Sequence, residues 1–162
     1  DMGITEIRAA GLLALMGVFD LIGTTLSGWL TDRFDPRKLL GVYYTIRGLS
    51  LMYLPFSGFS ATSLIIFSVL YGLDWIATVP PTLRLANEAF GDGHGPLVVR
   101  SILAGHQAGA ASAAYFGGVM HEMQGDYVLA FLIAGMTGII AACISLLINT
   151  SKPSFDPEPL PA

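Results

Sequence analysis

The chain has 162 residues, 53% of them hydrophobic and only 12% charged, with a mean hydropathy of +0.64 and a formal net charge of −4. A soluble domain carries roughly 25% charged residues, so an ordinary soluble fold is a poor fit, and the acidic balance without a basic surface excludes a nucleic-acid binder. The single cysteine, Cys143, makes no internal disulfide and lies in an apolar run, which reads as packing.

Residues 1–8 form a polar lead-in with no positively charged n-region before a cleavage site, and the chain reads as a piece of a longer protein. The first apolar run, 9–30, is long enough to cross a hydrocarbon core of ~30 Å at 1.5 Å per helical residue. Its one charge is Asp20. Thr24, Ser27 and Thr31 follow it at helical spacing, which lines all four along one face. Such a stripe faces protein or water rather than lipid.

A short charged turn, residues 28–40, joins this run to the next, so the two form an antiparallel hairpin. Arg33, Arg37 and Lys38 crowd its centre, as on the cytoplasmic side of a membrane hairpin. The second run, 39–54, is short and carries Arg47 near its middle. Arg37, Lys38 and Tyr43 can snorkel or anchor at one end. The third, 61–79, has Asp74 as its one charge, with Tyr71 and Thr78 on the same face. Pro80-Pro81 is expected to end or kink it, and a short surface helix through Glu88 follows.

The fourth run, 97–120, is rich in small residues, with small-xxx-small pairs at Gly105/Gly109 and Ala113/Gly117 that suit close helix packing. The fifth, 127–148, is apolar nearly all round, and 150–162 is a Pro-rich acidic tail expected to be disordered. The fold class is therefore an all-α membrane protein of five transmembrane helices, with a bundle over 1–149 and a cytoplasmic tail over 150–162. On this reading Arg33, Arg37, Lys38, Arg84, Arg100 and Lys152 share one side and Arg8 alone is on the other, which makes the opening turn and the tail cytoplasmic.

Counted along the helices, Asp20, Arg47, Asp74, His106 and Gln107 all lie roughly 9–15 Å from that boundary. A lone charge at such depth is costly, so partners are expected. Asp20 with Arg47 is the expected ion pair, because their helices are consecutive and antiparallel; a purely structural role in helix packing stands beside a functional one. Asp74 with Tyr71 and Thr78 is the better cavity candidate. His106 could serve the pathway or simply bond a neighbour, and Trp29 and Trp75 read as packing residues.

The opening turn resembles the signature loop of the major facilitator superfamily, roughly G-x-L-x-D-R-x-G-R-[RK]. Gly28, Leu30, Asp32, Arg33 and Arg37 match it and Lys38 adds a charge, while Asp35 and Pro36 stand where the family has Gly and Arg. The resemblance covers nearly the whole chain and implies helices eight to twelve, an incomplete six-helix half whose partners, helix seven and the N-terminal half of the same protein, are missing. Tyr71-Gly72-Leu73-Asp74-Trp75 and Ala104-Gly105-His106-Gln107 also look like a bacterial branch similar to monocarboxylate porters. Those porters often place an Arg one turn after an Asp on helix eight, and here that place holds Thr24.

The resemblance implies a secondary transporter in the bacterial inner membrane, moving a small solute such as an organic anion by alternating access. It implies no cofactor, with proton coupling left open. The substrate or proton pathway would draw on Asp20, Thr24, Tyr71, Asp74, Thr78, His106 and Gln107. Gly28, Asp32, Arg33, Arg37 and Lys38 would form a cytoplasmic gate, with Asp32 accepting hydrogen bonds at a neighbouring helix end; alternatively, these charges only set topology. Two other functions stay open: a membrane-embedded enzyme using Asp74 and His106 as acid and base, and a non-transporting interaction module or truncated product. The sequence has no metal-ligand spacing, nucleophile elbow or phosphate loop to support the enzyme.

Overall fold

A computed structural model of the chain describes residues 5–91 and 95–148. Every element among them is helical: α1 (Glu6–Thr31), α2 (Pro36–Tyr53), a 3-10 turn (Leu54–Phe56), α3 (Ala61–Asp74), α4 (Val79–Phe90), α5 (Gly95–Gln124) and α6 (Val128–Leu147). The expected tail, and with it the boundary at 149–150, falls outside the described residues.

Local chemistry explains where the helices begin and end. Asp35 is the N-cap of α2, its carboxylate accepting the Arg37 amide at 3.0 Å, and Pro36 occupies the first turn. An acceptor at the cap followed by a proline that needs no partner is a strong helix start. The residues that depart from the family's loop are thus a capping signal. Ser60 caps α3 in the same way through the Ser63 amide. At the other ends, Gly91 and Gly125 take φ of 73° and 78°, and their amides return to Asn87 and His121. That left-handed stop suits glycine.

The third apolar run is interrupted, as the prolines lead one to expect, but one turn earlier than Pro80. Its break lies at residues 75–78, ahead of the prolines, and Pro80-Pro81 sit in the first turn of α4. Proline costs nothing there, since first-turn amides lack intrahelical partners. A helix through Glu88 does follow, as expected, but it starts at Val79 and continues one interrupted stretch, Ala61–Phe90, whose most apolar 18-residue window has a mean hydropathy of 1.6.

Helix α1 packs on α3, and α2 packs on α6 while also touching α3 and α4. Both main contacts are made by glycine. A methyl at Gly23 would collide with the Leu73 backbone, and one at Gly48 would lie 2.7 Å from the Gly135 carbonyl oxygen. Lipid supplies no hydrophobic drive between helices, so close backbone approach is a main source of association. The small-residue faces that the sequence shows on α5 meet nothing among the described residues: Gly105, Gly109 and Gly117 have open space around them. Small-residue spacing shows that a face could be approached closely, not that something approaches it.

The surface is inverted relative to a soluble protein. Leu13, Leu21, Leu26, Ile140, Ile144 and Leu147 are exposed, while Ser27, Thr31, Ser50, Ser68, Asp74 and Ser145 are buried. An apolar exterior around a polar-containing interior suits lipid as the solvent. Three stretches, Glu6–Thr31, Ala61–Phe90 and Val128–Leu147, are long and apolar enough to cross a membrane. Cys143, expected to be packed, is exposed on α6.

Candidate functional site

Two clusters concentrate the polar chemistry. The first lies inside the bundle at the α3–α4 break. Asp74 ends α3 and is only 3% exposed. Arg47 of α2 reaches it, Nε donating to Oδ2 at 2.7 Å, and its Nη2 donates to the backbone carbonyls of Asp74 and, at 3.0 Å, Trp75. The Oδ1 of Asp74 is buried and has no hydrogen-bond partner among the described residues.

The expected Asp20–Arg47 pair is therefore corrected to Asp74–Arg47. Equal depth on consecutive antiparallel helices does not ensure contact: α1 and α2 barely touch, and both pack against α3. Asp20 instead accepts the Ile76 amide at 3.0 Å and the Thr24 hydroxyl at 3.3 Å through Oδ1. Tyr71 stacks on Phe67, with ring centroids 5.1 Å apart, and meets Trp75 edge-on at 5.8 Å. Thr78 precedes α4, and its carbonyl accepts the Thr82 hydroxyl at 2.7 Å. The structure thus brings Asp20, Thr24, Arg47, Tyr71, Asp74 and Thr78 to one break.

His106 and Gln107 do not join them. Both are exposed on α5, whose backbone approaches α4 and α6 but not α1, α2 or α3 among the described residues. Depth counting puts them at the right level but cannot say which way α5 lies.

The second cluster is at the basic end of the bundle. Arg37 pairs with Asp35, Nη2 to Oδ2 at 2.6 Å, and its Nη1 donates to the carbonyl of Ile148 at the end of α6, 3.3 Å away. The guanidinium beside Asp35 holds its carboxyl below the usual value of 3.8. Arg33 lies 3.8 Å over the Trp29 ring. Asp32 is exposed at the C-cap of α1, and its carboxylate makes no hydrogen bond among the described residues. Lys38 is exposed too.

Arg84 of α4 donates to the Thr31 carbonyl at the end of α1 and pairs with Glu88, Nε to Oε1 at 2.7 Å. Gly28, Asp32, Arg84, Asn87 and Glu88 line an open recess of about 620 Å³ between α1 and α4. Sequence reading misses Asp35, Arg84 and Glu88. The Asp-Pro cap and the i,i+4 spacing of Arg84 and Glu88 are signals that could have found them.

Comparison with known proteins agrees with this architecture. The family profile of the Major Facilitator Superfamily matches residues 1–162. Monocarboxylate transporter 13 of Rattus norvegicus is 30% identical over 94% of the chain and 38% of its own length. The uncharacterized MFS-type transporter YcxA of Bacillus subtilis is 32% identical over 83% of the chain and 32% of its own length. A gallate transporter of Pseudomonas putida is 23% identical over 92% of the chain and 33% of its own length. The chain spans about a third of the length of these curated relatives. No solved structure matches it. With the signature loop at the basic end of an α1–α2 hairpin and the profile matched along its whole length, the chain belongs to the major facilitator superfamily, as a multi-pass membrane protein similar to monocarboxylate porters.

Proposed function

We propose that the chain is part of a secondary transporter that moves a small organic anion together with a proton by alternating access. It would cross the bacterial inner membrane five times and work with the further length that its relatives possess. The observation that carries this reading is an interrupted helix, α3–α4, with the buried Asp74–Arg47 pair at its break. Irregular backbone at membrane depth is tolerated only inside protein or against a water-filled cavity. Ionisable groups there mark solute and proton paths, often on discontinuous helices.

The chemistry follows from the free edges of the pair. A proton on Asp74, whose Oδ1 has no partner among the described residues, neutralises the carboxylate and weakens its hold on Arg47 Nε. Nη1 of Arg47 makes no hydrogen bond among the described residues, so the released edge can take a carboxylate. Two relatives carry names with carboxylates in them, monocarboxylate and gallate. Thr24, Tyr71 and Thr78 would line the path. Gly28, Asp32, Arg33, Arg37 and Lys38, with Asp35, Arg84 and Glu88, would close the cytoplasmic end.

The placement of His106 on α5, which makes no close backbone contact with α3 among the described residues, favours the transporter over an enzyme using Asp74 and His106. The test is uptake of labelled monocarboxylates and aromatic carboxylates into proteoliposomes carrying the whole protein. Saturable uptake stimulated by external acid, and lost in Arg47→Gln, is expected. Correctly inserted protein that moves no carboxylate, or converts one without moving it, rejects the reading.

A further inference from the structure

A helix break leaves carbonyls of the preceding turn and amides of the following turn without intrahelical partners. Around residues 75–78 most of those groups are met from outside the span. The Ile76 amide donates to Asp20 Oδ1 at 3.0 Å. The carbonyls of Asp74 and Trp75 both accept from Arg47 Nη2. The Ala77 carbonyl accepts from the Ser27 hydroxyl at 2.5 Å, and Ser27 is fully buried. The Ile76 carbonyl is used by the Val79 amide.

Asp20 and Ser27 belong to the polar stripe of α1, seven residues apart on one face. That face is turned to the backbone of the interrupted span. We propose that Asp20 and Ser27 of α1, with Arg47 of α2, are positioning residues that hold the α3–α4 break open by taking the place of its missing intrahelical partners. Asp20 then acts as a hydrogen-bond acceptor, and its negative charge is dispensable. The inference rests on the transporter reading only for its kinetic readout. The break bears Asp74, so moving it moves the Asp74–Arg47 pair.

The charge and the acceptor can be separated. Asp20→Asn keeps a side-chain oxygen for the Ile76 amide and removes the charge, whereas Asp20→Ala removes both. Amide hydrogen exchange at Ile76 in nanodiscs reads the contact directly, and uptake kinetics in proteoliposomes read its consequence. Asp20→Ala is expected to speed Ile76 exchange ~10-fold and to raise the KM for the transported carboxylate by a similar factor. Asp20→Asn should restore both to near the parent values and leave the pH profile of uptake unchanged. Ser27→Ala, which keeps Asp20 intact, should loosen the same segment and serves if Asp20→Ala does not insert.

Asp20→Asn as defective as Asp20→Ala overturns the proposal, because the charge would then be what matters. Unchanged Ile76 exchange in Asp20→Ala overturns it as well. Exchange needs no translocation, so protein that moves no carboxylate still shows whether the Ile76 contact exists, and the failure of the transporter reading stays distinguishable.

Discussion

Removing Arg47 should cost more than removing the carboxylate it faces. Arg47 Nε lies 2.7 Å from Asp74 Oδ2, with Asp74 3% and Arg47 21% exposed. Breaking a buried pair by deleting one partner costs about 3–5 kcal/mol, since the other charge is left unpaired in a poor solvent for it. Partial exposure of Arg47 moves the expected loss to about 3 kcal/mol. Arg47→Gln also strips the donor from the Asp74 and Trp75 carbonyls, whereas Asp74→Asn leaves those two bonds in place. The order of stability should therefore be parent, Asp74→Asn, then Arg47→Gln. The double variant carries no orphaned charge, so the two losses should fail to add by about 1–3 kcal/mol. A double-mutant cycle on melting of detergent-purified protein measures this. Strictly additive losses would mean that the two groups do not interact, and the polar centre of the site would dissolve with them.

Four further outcomes are expected. Gly23→Ala drives a methyl into the Leu73 backbone and should destabilise by about 1–3 kcal/mol, whereas Gly109→Ala meets open space and should be close to neutral on the same melting scale. Asp35 has a depressed folded pKa, so its stabilisation is present above its unfolded value and is lost as pH falls through the folded one; Asp35→Asn should flatten the acid limb of a pH–melting curve below about pH 4, with an effect of about 1 kcal/mol or less for so exposed a pair. Arg84→Gln uncaps α1 and should slow uptake ~10-fold while surface expression holds; uptake at the parent rate would remove Arg84 from the gate. In a Cys143→Ser background, which the exposure of Cys143 requires, cysteine at position 57 should label from outside intact cells and cysteine at position 35 should not.

The helices are legible in the sequence because lipid simplifies the code. Long apolar runs, the charged hairpin turn and Pro/Gly punctuation depend on local sequence, and α1, α2, α5 and α6 lie where those signals put them. Depth along a helix is legible too, for the same reason. Azimuth is not. Asp20, Arg47 and Asp74 read at one level, but only the separate packing of α1 and α2 against α3 decides that Arg47 takes Asp74 and leaves Asp20 to the Ile76 amide. The same gap misplaces the glycine contacts: Gly23 and Gly48 sit in runs less rich in small residues than α5, yet theirs are the faces that meet. His106 fails for that reason as well. The break itself is half visible, since two adjacent prolines read as a stop when in the first turn of a helix they are a start.

Three arginines of the described helices, Arg37, Arg47 and Arg84, share a task that their charge alone does not suggest. Arg37 donates to Ile148 at the end of α6, Arg84 to Thr31 at the end of α1, and Arg47 to Asp74 and Trp75 at the end of α3. Each thus reaches from a neighbouring helix to the C-terminal carbonyls of another. Those carbonyls lack intrahelical partners and carry the negative end of the helix dipole. Near or within hydrocarbon, where water is scarce, a guanidinium with five donors satisfies them while joining two helices. Arg37 and Arg84 do so at the basic end, where the same charges also favour a cytoplasmic placement. Arg47 does so in mid-bundle, where no topology signal is needed and where its one carboxylate partner is Asp74. Two of these caps join helices at the mouth and one joins them at the centre. A solute or proton that disturbs the Arg47 cap therefore changes how α2 holds the interrupted span, and Arg84 ties the far half of that span to α1. The twelve-residue α4 helix runs from the break to the Arg84 cap, and on the proposed reading it would join the site to the gate.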